Sequence, residues 1–378
     1  MQKKWNAGAW RFFIYAGVTG LAGGTLFAWL GVPVPWLLGP MTAVLIVSNV
    51  MRQPLRWSSQ LRDVGIGVVG YSIGITLTLE SLRQMMVQLP LMLLFTTLLL
   101  LMTMILAYVF SRCTEYDLPT LMIGSVPGGL SQMVTLAEEI RGVNINVVTM
   151  MQVTRLIMIV FCVPLLLYSP WLGGGSVSSE GVTVASAAVA TTEGAWAELF
   201  PELWVYAPLC VLGALLGQRL RVPTAFLLGP MLVTTLLHLF MLEAPVLPDA
   251  LLNASQFLIG THVGLSFKKQ ASSNLAKTAA LALGSGMLLI IGSLGLTWLF
   301  EHWLGTSTAT AFLSMAPGGM DQMAVMANEV GANLPMVSGY QMFRLFFIFF
   351  VVSPLLGLLL RRFTAITPKS RLHTKESA

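Results

Sequence analysis

Residues 86–110 form an apolar run without a single charged side chain, and long apolar runs recur at 144–167, 277–300 and 343–360. A helix needs about 20 such residues to cross a hydrocarbon core ~30 Å thick. Barrel strands would instead alternate in segments of ~10 residues, and these runs do not alternate. Backbone groups in lipid can be satisfied only within helices or closed barrels, so the predicted class is an all-α polytopic membrane protein. Composition agrees, since 10% of residues are charged and mean hydropathy is +0.78, against about 25% charged in a soluble domain.

The net charge of +5 is not a nucleic-acid footprint, because the basic residues sit in short clusters between apolar runs and read as topology signals. Cys113, Cys162 and Cys210 show no metal spacing, and two of them fall inside predicted spans, so no disulfide framework is expected. The N-terminal MQKKWNAGAWRFF and the run behind it resemble a signal peptide. That run has an internal counterpart near 204–219, which makes it a retained first helix.

The chain repeats itself at an offset of 190 residues. VPVPWLLGPM (32–41) meets VPTAFLLGPM (222–231), GYSIG (70–74) meets GTHVG (260–264), and SVPGGLSQM (125–133) meets MAPGGMDQM (315–323). After a one-residue slip, QVTRL (152–156) meets QMFRL (341–345). The expected organisation is a first membrane repeat, 1–167, a linker, 168–203, and a second repeat with a basic tail, 204–378. The linker is rich in Gly, Ser, Ala and Thr and holds Glu180, Glu193, Glu198 and Glu202 but no Lys or Arg, as suits an extracytoplasmic connection.

Each copy shows six apolar segments, and charge decides how many cross. Lys3, Lys4 and Arg11 put the N-terminus inside, as Arg52, Arg56 and Arg62 do the second connection. In the second copy the basic groups follow the first, third and last helices (Arg219 and Arg221; Lys268, Lys269 and Lys277; Arg361 onward), while Glu243, Asp249 and Glu301 mark the other side. The second copy therefore starts outside and ends inside. Two inverted-topology repeats are expected, with about 10 transmembrane helices and one broken or re-entrant segment per half.

Pro-Gly-Gly is the natural break. Pro costs about 3 kcal/mol and each Gly about 1 kcal/mol within a helix, so Pro127, Gly128 and Gly129, with Pro317, Gly318 and Gly319, need shelter from lipid. Such breaks near the midplane of inverted repeats are where secondary transporters bind substrate and coupling ion. Ser131 and Asp321 follow the glycines, either as helix N-caps or, for Asp321, as an intramembrane acid for a cation or proton; the two roles are compatible. Gln132 and Glu139, like Gln322 and Glu329, stand seven apart on one helical face. The glutamates either carry function or mark the interface where the helix leaves the membrane, which is the better reading of Glu138. Arg155 and Arg344, in apolar helices, are counter-ions to those acids or ligands for an anionic substrate. The Gly-Pro pairs in LLGPM read as kinks that pack helices closely. Gly65, Gly67, Gly70 and Gly74, against Gly260 and Gly264, form small-residue faces, and His262 sits on one of them.

The duplicated LLGPM and PGG-x-x-QM phrases resemble the AbrB family of duplicated bacterial membrane proteins, over essentially both halves. The resemblance implies a transporter similar in fold to the cation/proton antiporter and anion transporter superfamily. Members of that family are also labelled regulators of gene expression, through an effect on a DNA-alkylation response gene, and ammonia monooxygenase. Clustered ligands for such oxygen chemistry are missing from the sequence, since His238, His262, His302 and His373 lie in unrelated segments. No helix-turn-helix or other soluble DNA-binding module fits between the spans.

The expected function is secondary transport of a small solute across the bacterial inner membrane, with both termini cytoplasmic and the site between the two broken segments. Coupling would run through Asp321 to H+ or Na+, with no cofactor, no metal and no catalytic residue, so the chain is not expected to be an enzyme. Its partners would be the solute and the lipid bilayer, not nucleic acid, and a homodimer is compatible. The alternative is a membrane-embedded sensor that affects gene expression indirectly.

Overall fold

A computed structural model describes residues 7–32, 34–49, 55–140, 142–169, 194–220, 222–240, 245–266 and 275–366. The first half comprises α1 (Ala7–Trp29), α2 (Pro35–Asn49), α3 (Ser59–Thr76), α4 (Leu79–Cys113), the short pair α5 (Leu118–Ser125) and α6 (Leu130–Glu139), and α7 (Ile145–Leu167). The second comprises α8 (Gly194–Arg219), α9 (Ala225–Leu239), α10 (Asp249–Ser266), α11 (Leu275–Leu304), the short pair α12 (Thr308–Met315) and α13 (Met320–Glu329), and α14 (Leu334–Phe347), which a π turn, Ile348–Val352, continues into α15 (Ser353–Ile366). The described residues form no strand, so the protein is all-α as expected. Of the expected linker, residues 170–193 lie outside the described residues, and helix α8 already begins at Gly194.

Five helices among the described residues are long and apolar enough to cross a bilayer: Trp10–Trp29, Leu79–Cys113, Ile145–Leu167, Lys277–Leu304 and Leu334–Arg361. Two of the others have a physical reason to be short. Helices α2 and α9 have 15 residues each, about 22 Å of rise, and their Gly-Pro-Met triplets, Gly39 to Met41 and Gly229 to Met231, are buried among neighbouring helices.

Close backbone approach holds this inner layer together. A Cβ on Gly70 of α3 would sit 2.3 Å from the Leu227 carbonyl oxygen of α9, and one on Gly260 of α10 would sit 2.3 Å from that of Leu37 on α2. Each contact is the other displaced by 190 residues, so the two halves interleave reciprocally. Val34 and Thr224, equivalent by the same offset, both adopt φ 50° at the entry to α2 and α9, an uncommon conformation for β-branched residues. Helices α3 and α10 cross antiparallel: Arg62 reaches His262, and Gly65, further along α3, meets Ser255, Leu258 and Ile259, further back along α10.

The short pairs are hairpins. The backbone N–H of Asn144, at the head of α7, donates to Thr120 Oγ1 in α5 at 3.0 Å, and that of Asn333 donates to Thr310 Oγ1 in α12 at 3.0 Å. A straight helix from 120 to 139 would separate its ends by about 28 Å, and the five residues to 144 span at most about 17 Å. The chain must therefore turn back at Pro-Gly-Gly. Sequence left broken and re-entrant forms open; these contacts show a chain that folds back on itself at each break.

Candidate functional site

A helix that stops inside a protein leaves its last four carbonyls without partners. At the end of α5 they belong to Ile123, Gly124, Ser125 and Val126, because Val126 N–H already donates to Met122. Helix α7 supplies the missing donors from one Gln-x-x-Arg step. Gln152 Nε2 donates to the carbonyls of Ile123 (3.0 Å), Gly124 (3.2 Å) and Val126 (3.0 Å), while Arg155 donates to those of Ser125 (3.4 Å) and Val126 (2.9 Å). Arg155 also donates to Gln152 Oε1 at 2.6 Å, which fixes the pair.

The second half repeats the device. Gln341 Nε2 donates to Leu313 (2.6 Å) and Ala316 (3.1 Å), and Arg344 to Met315 (3.5 Å), Ala316 (2.8 Å) and Gly318 (3.0 Å); Arg344 also bonds Gln341 Oε1. Both arginines are buried, and a cation suits the negative end of a helix dipole.

This corrects the expected pairing of the arginines with acids. Among the described residues the ion pairs are Arg62 with Asp63 at 2.6 Å and Arg361 with Glu139 at 2.8 Å. Glu139 is exposed at the foot of the first hairpin, and Glu329, at the foot of the second, lies within electrostatic reach of Asp249 and Tyr168. Both behave as groups at the rim of the fold, and Glu138 is exposed beside Glu139.

The hairpin tips carry Pro127, Gly128 and Gly129 in one half and Pro317, Gly318 and Gly319 in the other. In each tip the second glycine is the N-cap of the returning helix, without a side-chain cap. The N-cap reading of Asp321 is therefore displaced by two residues: it stands second in α13, where the amides of Asp321 and Gln322 lie against its carboxylate. The side chain of Ser131 lies outside the described residues.

Each tip reaches the long helix of the opposite half. Gln132 Nε2 donates to Ser353 Oγ of α15 at 2.6 Å, and a Cβ on Gly318 would meet Ile159 of α7 at 3.0 Å. Arg155 and Arg344 lie within electrostatic reach of each other, so the breaks converge through α7 and α14.

Their surroundings differ. Helix α13 packs against α3 as well as α14, and Pro317, Gln322 and Val325 are buried; the equivalent Pro127 and Gln132 are half-buried and Thr135 is exposed.

Sequence reasoning missed two groups. Gln152 and Gln341 stand in the duplicated Q-x-x-R phrase but were passed over for the arginines beside them. Arg62, read as a topology charge, instead forms a polar cluster with Asp63 and, at 3.3 Å, with His262 of the other half; its charge acts on Asp321. Only the pairing of antiparallel helices brings these residues together, and no sequence spacing signals it. Among the described residues no three of His, Cys, Asp and Glu gather as a metal ligand set.

The profile of one protein family, described as "Transition state regulatory protein AbrB", matches residues 36–360. Two relatives match most of the chain. "Uncharacterized protein YhjN" of Bacillus subtilis (strain 168) is 26% identical over 360 residues, covering 89% of this chain and 90% of its own length. "Putative regulator AbrB" of Escherichia coli (strain K12) is 28% identical over 320 residues, covering 83% of this chain and 86% of its own.

Proposed function

The chain belongs to the AbrB family, and we propose that it is a secondary transporter of a small solute in the bacterial inner membrane, ion-coupled through Asp321, with both termini cytoplasmic. The observation that carries this reading is the unequal burial of two hairpins built to one sequence plan. Alternating access requires one site to face two sides in turn, and repeat-built carriers move one bundle against the other around a fixed site. Here α13 lies against α3 with Val325 buried, while Thr135, its equivalent on α6, is exposed. Two arrangements made from equivalent contacts differ little in free energy, so a solute or ion can shift their populations.

The antiparallel crossing of α3 and α10 supports inverted repeats, because an axis that relates antiparallel equivalents lies across them. The hairpin feet fit this orientation: Glu139 bonds Arg361 near the basic tail, and Glu329 lies near Asp249, in a stretch free of basic residues. One hairpin then enters from each face. The partners are the solute and the lipid bilayer, with no role for nucleic acid, and a homodimer is compatible. No enzymatic step is assigned to any residue.

Thermal-shift screening against small organic anions, amines and cations identifies a solute, and flux of that solute into proteoliposomes is then measured under imposed ion gradients. Coupled flux is expected, and Asp321→Asn should abolish it while expression and folding persist. A solute that binds yet never crosses under any gradient overturns the proposal. It would favour a membrane-embedded sensor acting on gene expression indirectly, the reading with which the name of the E. coli relative agrees.

A further inference from the structure

Arginine carries only N–H donors, and this fixes the form of His262. The Arg62 guanidinium lies 3.3 Å from His262 Nε2, so that nitrogen must accept with its lone pair. The ring is then neutral, with its proton on Nδ1. Nδ1 is buried without a hydrogen-bond partner, so nothing on its own side selects this tautomer; Arg62 does.

Arg62 is drawn from more than one side. Its Nε donates to Asp63 at 3.0 Å and its Nη2 at 2.6 Å, and the guanidinium charge acts on Asp321 near the tip of the second hairpin. At 37% exposure the side chain has room to swing. Helix α10 packs on α1, α2 and α3. Of these, α3 brings Arg62 and Asp63, the charges that act on the ring, and α2 has no ionisable residue. Helix α1 brings Arg11 and Tyr15, which are not among those charges. Lys268 and Lys269, after α10, lie outside the described residues.

The duplication supplies a contrast. At the 190-residue offset, Arg62, Asp63, His262 and Asp321 correspond to Leu252, Asn253, Ser72 and Ser131. Leu252 and Ser72 border one cavity at the other end of the α3–α10 crossing, and neither ionises near neutral pH. A tie needed only to hold the two helices together would serve both ends. The ionisable set stands at one.

We infer that His262 is a proton-binding switch that acts through Arg62 on the second hairpin. A proton taken from water onto Nε2 occupies the lone pair that Arg62 uses, and leaves an imidazolium beside a guanidinium. The two cations repel, and Asp321 is the carboxylate on α13 that the guanidinium charge already reaches. Arg62 turns to it, which ties the hairpin to α3, where α13 packs. Loss of the proton returns Arg62 to the ring. Acid therefore favours the docked hairpin, whereas a purely structural tie would act alike at every pH. As regulation of a carrier, the switch rests on the transport reading above; as a proton site, it does not.

Nuclear magnetic resonance of the purified full-length protein in detergent, with isotope-labelled histidine, tests the proton site; the His262 signals are those lost in His262→Gln. Wild type is expected to carry its proton on Nδ1 and not Nε2 near pH 8, and to gain the second before about pH 5. Arg62→Leu should mix the tautomers and move that gain by about one pH unit. The hairpin is read by Val325→Cys in a background freed of the three cysteines, through its rate with a water-soluble thiol reagent. The rate at about pH 5 relative to that at about pH 8 should be about threefold lower with His262 than in His262→Gln; thiol ionisation cancels in that comparison. A proton on Nε2 near pH 8, a ring still neutral at about pH 5, or a gain unmoved by Arg62→Leu overturns the site. Equal rate ratios with and without His262 overturn the switch. Should Arg62→Leu fail to fold, the wild-type tautomer and His262→Gln decide. A working switch without solute flux would sink transport and leave the switch standing; flux whose pH dependence ignores His262→Gln would overturn the regulatory role and leave transport standing.

Discussion

Replacing Arg344 with methionine keeps most of the side-chain volume and removes only the donors. The Ala316 carbonyl would still receive Gln341 Nε2 and the Gly318 N–H, so it stays satisfied. The carbonyl of Gly318 loses its 3.0 Å bond and that of Met315 its 3.5 Å bond. At about 1–3 kcal/mol for each buried polar group left unmade, the two carbonyls account for about 2–6 kcal/mol, reduced by the desolvation that a buried guanidinium no longer bears. Arg155→Met provides the internal control. There the Val126 carbonyl keeps Gln152 Nε2 and the Gly128 N–H; the Ser125 carbonyl loses a long bond of 3.4 Å, and Gln152 Oε1 loses its guanidinium donor just as Gln341 Oε1 does in the other variant, so the two variants differ by the carbonyl of Gly318. Arg344→Met should therefore be the more damaging by about 2 kcal/mol. Thermal or denaturant unfolding of both variants in the same detergent measures the difference. Equal losses, or no loss in either, would refute the assignment of these arginines to hairpin carbonyls and reopen their role as ligands of an anionic solute.

Glycine packing and hairpin exposure give further tests. Gly70→Ala should destabilise strongly, because its methyl group would stand 2.3 Å from a backbone oxygen of α9, whereas Gly67→Ala meets nothing nearer than 3.7 Å and should be close to neutral; unfolding midpoints check both. In a background freed of Cys113, Cys162 and Cys210, Thr135→Cys should react quickly with a water-soluble thiol reagent and Val325→Cys slowly. Equal rates would remove the asymmetry on which alternating access rests.

Much of this was legible in the sequence because repetition filters signal from composition. The class followed from uninterrupted apolar runs, and the turn at Pro-Gly-Gly from three poor helix formers kept twice in register. What stayed hidden depended on partners far along the chain. Gln152 and Arg155 are three apart in an apolar helix, and nothing local says that their targets are carbonyls about 30 residues earlier. Arg62 carries the signature of a cytoplasmic charge, and only the packing of α3 on α10 turns it toward His262. Glutamates at the hairpin feet drew suspicion because both copies keep them, yet Glu139 bonds an exposed arginine at the rim.

The Gln-x-x-Arg clasps also decide which parts can shift independently. Five hydrogen bonds from Gln152 and Arg155 fasten the first hairpin to α7, and α14 grips the second in the same manner. Neither hairpin can slide along its own clasping helix without baring carbonyls to an oily surround. Each loop and the rod behind it must travel as one wedge, so any stroke of the machine is taken up in the seams between wedges and the interleaved inner layer.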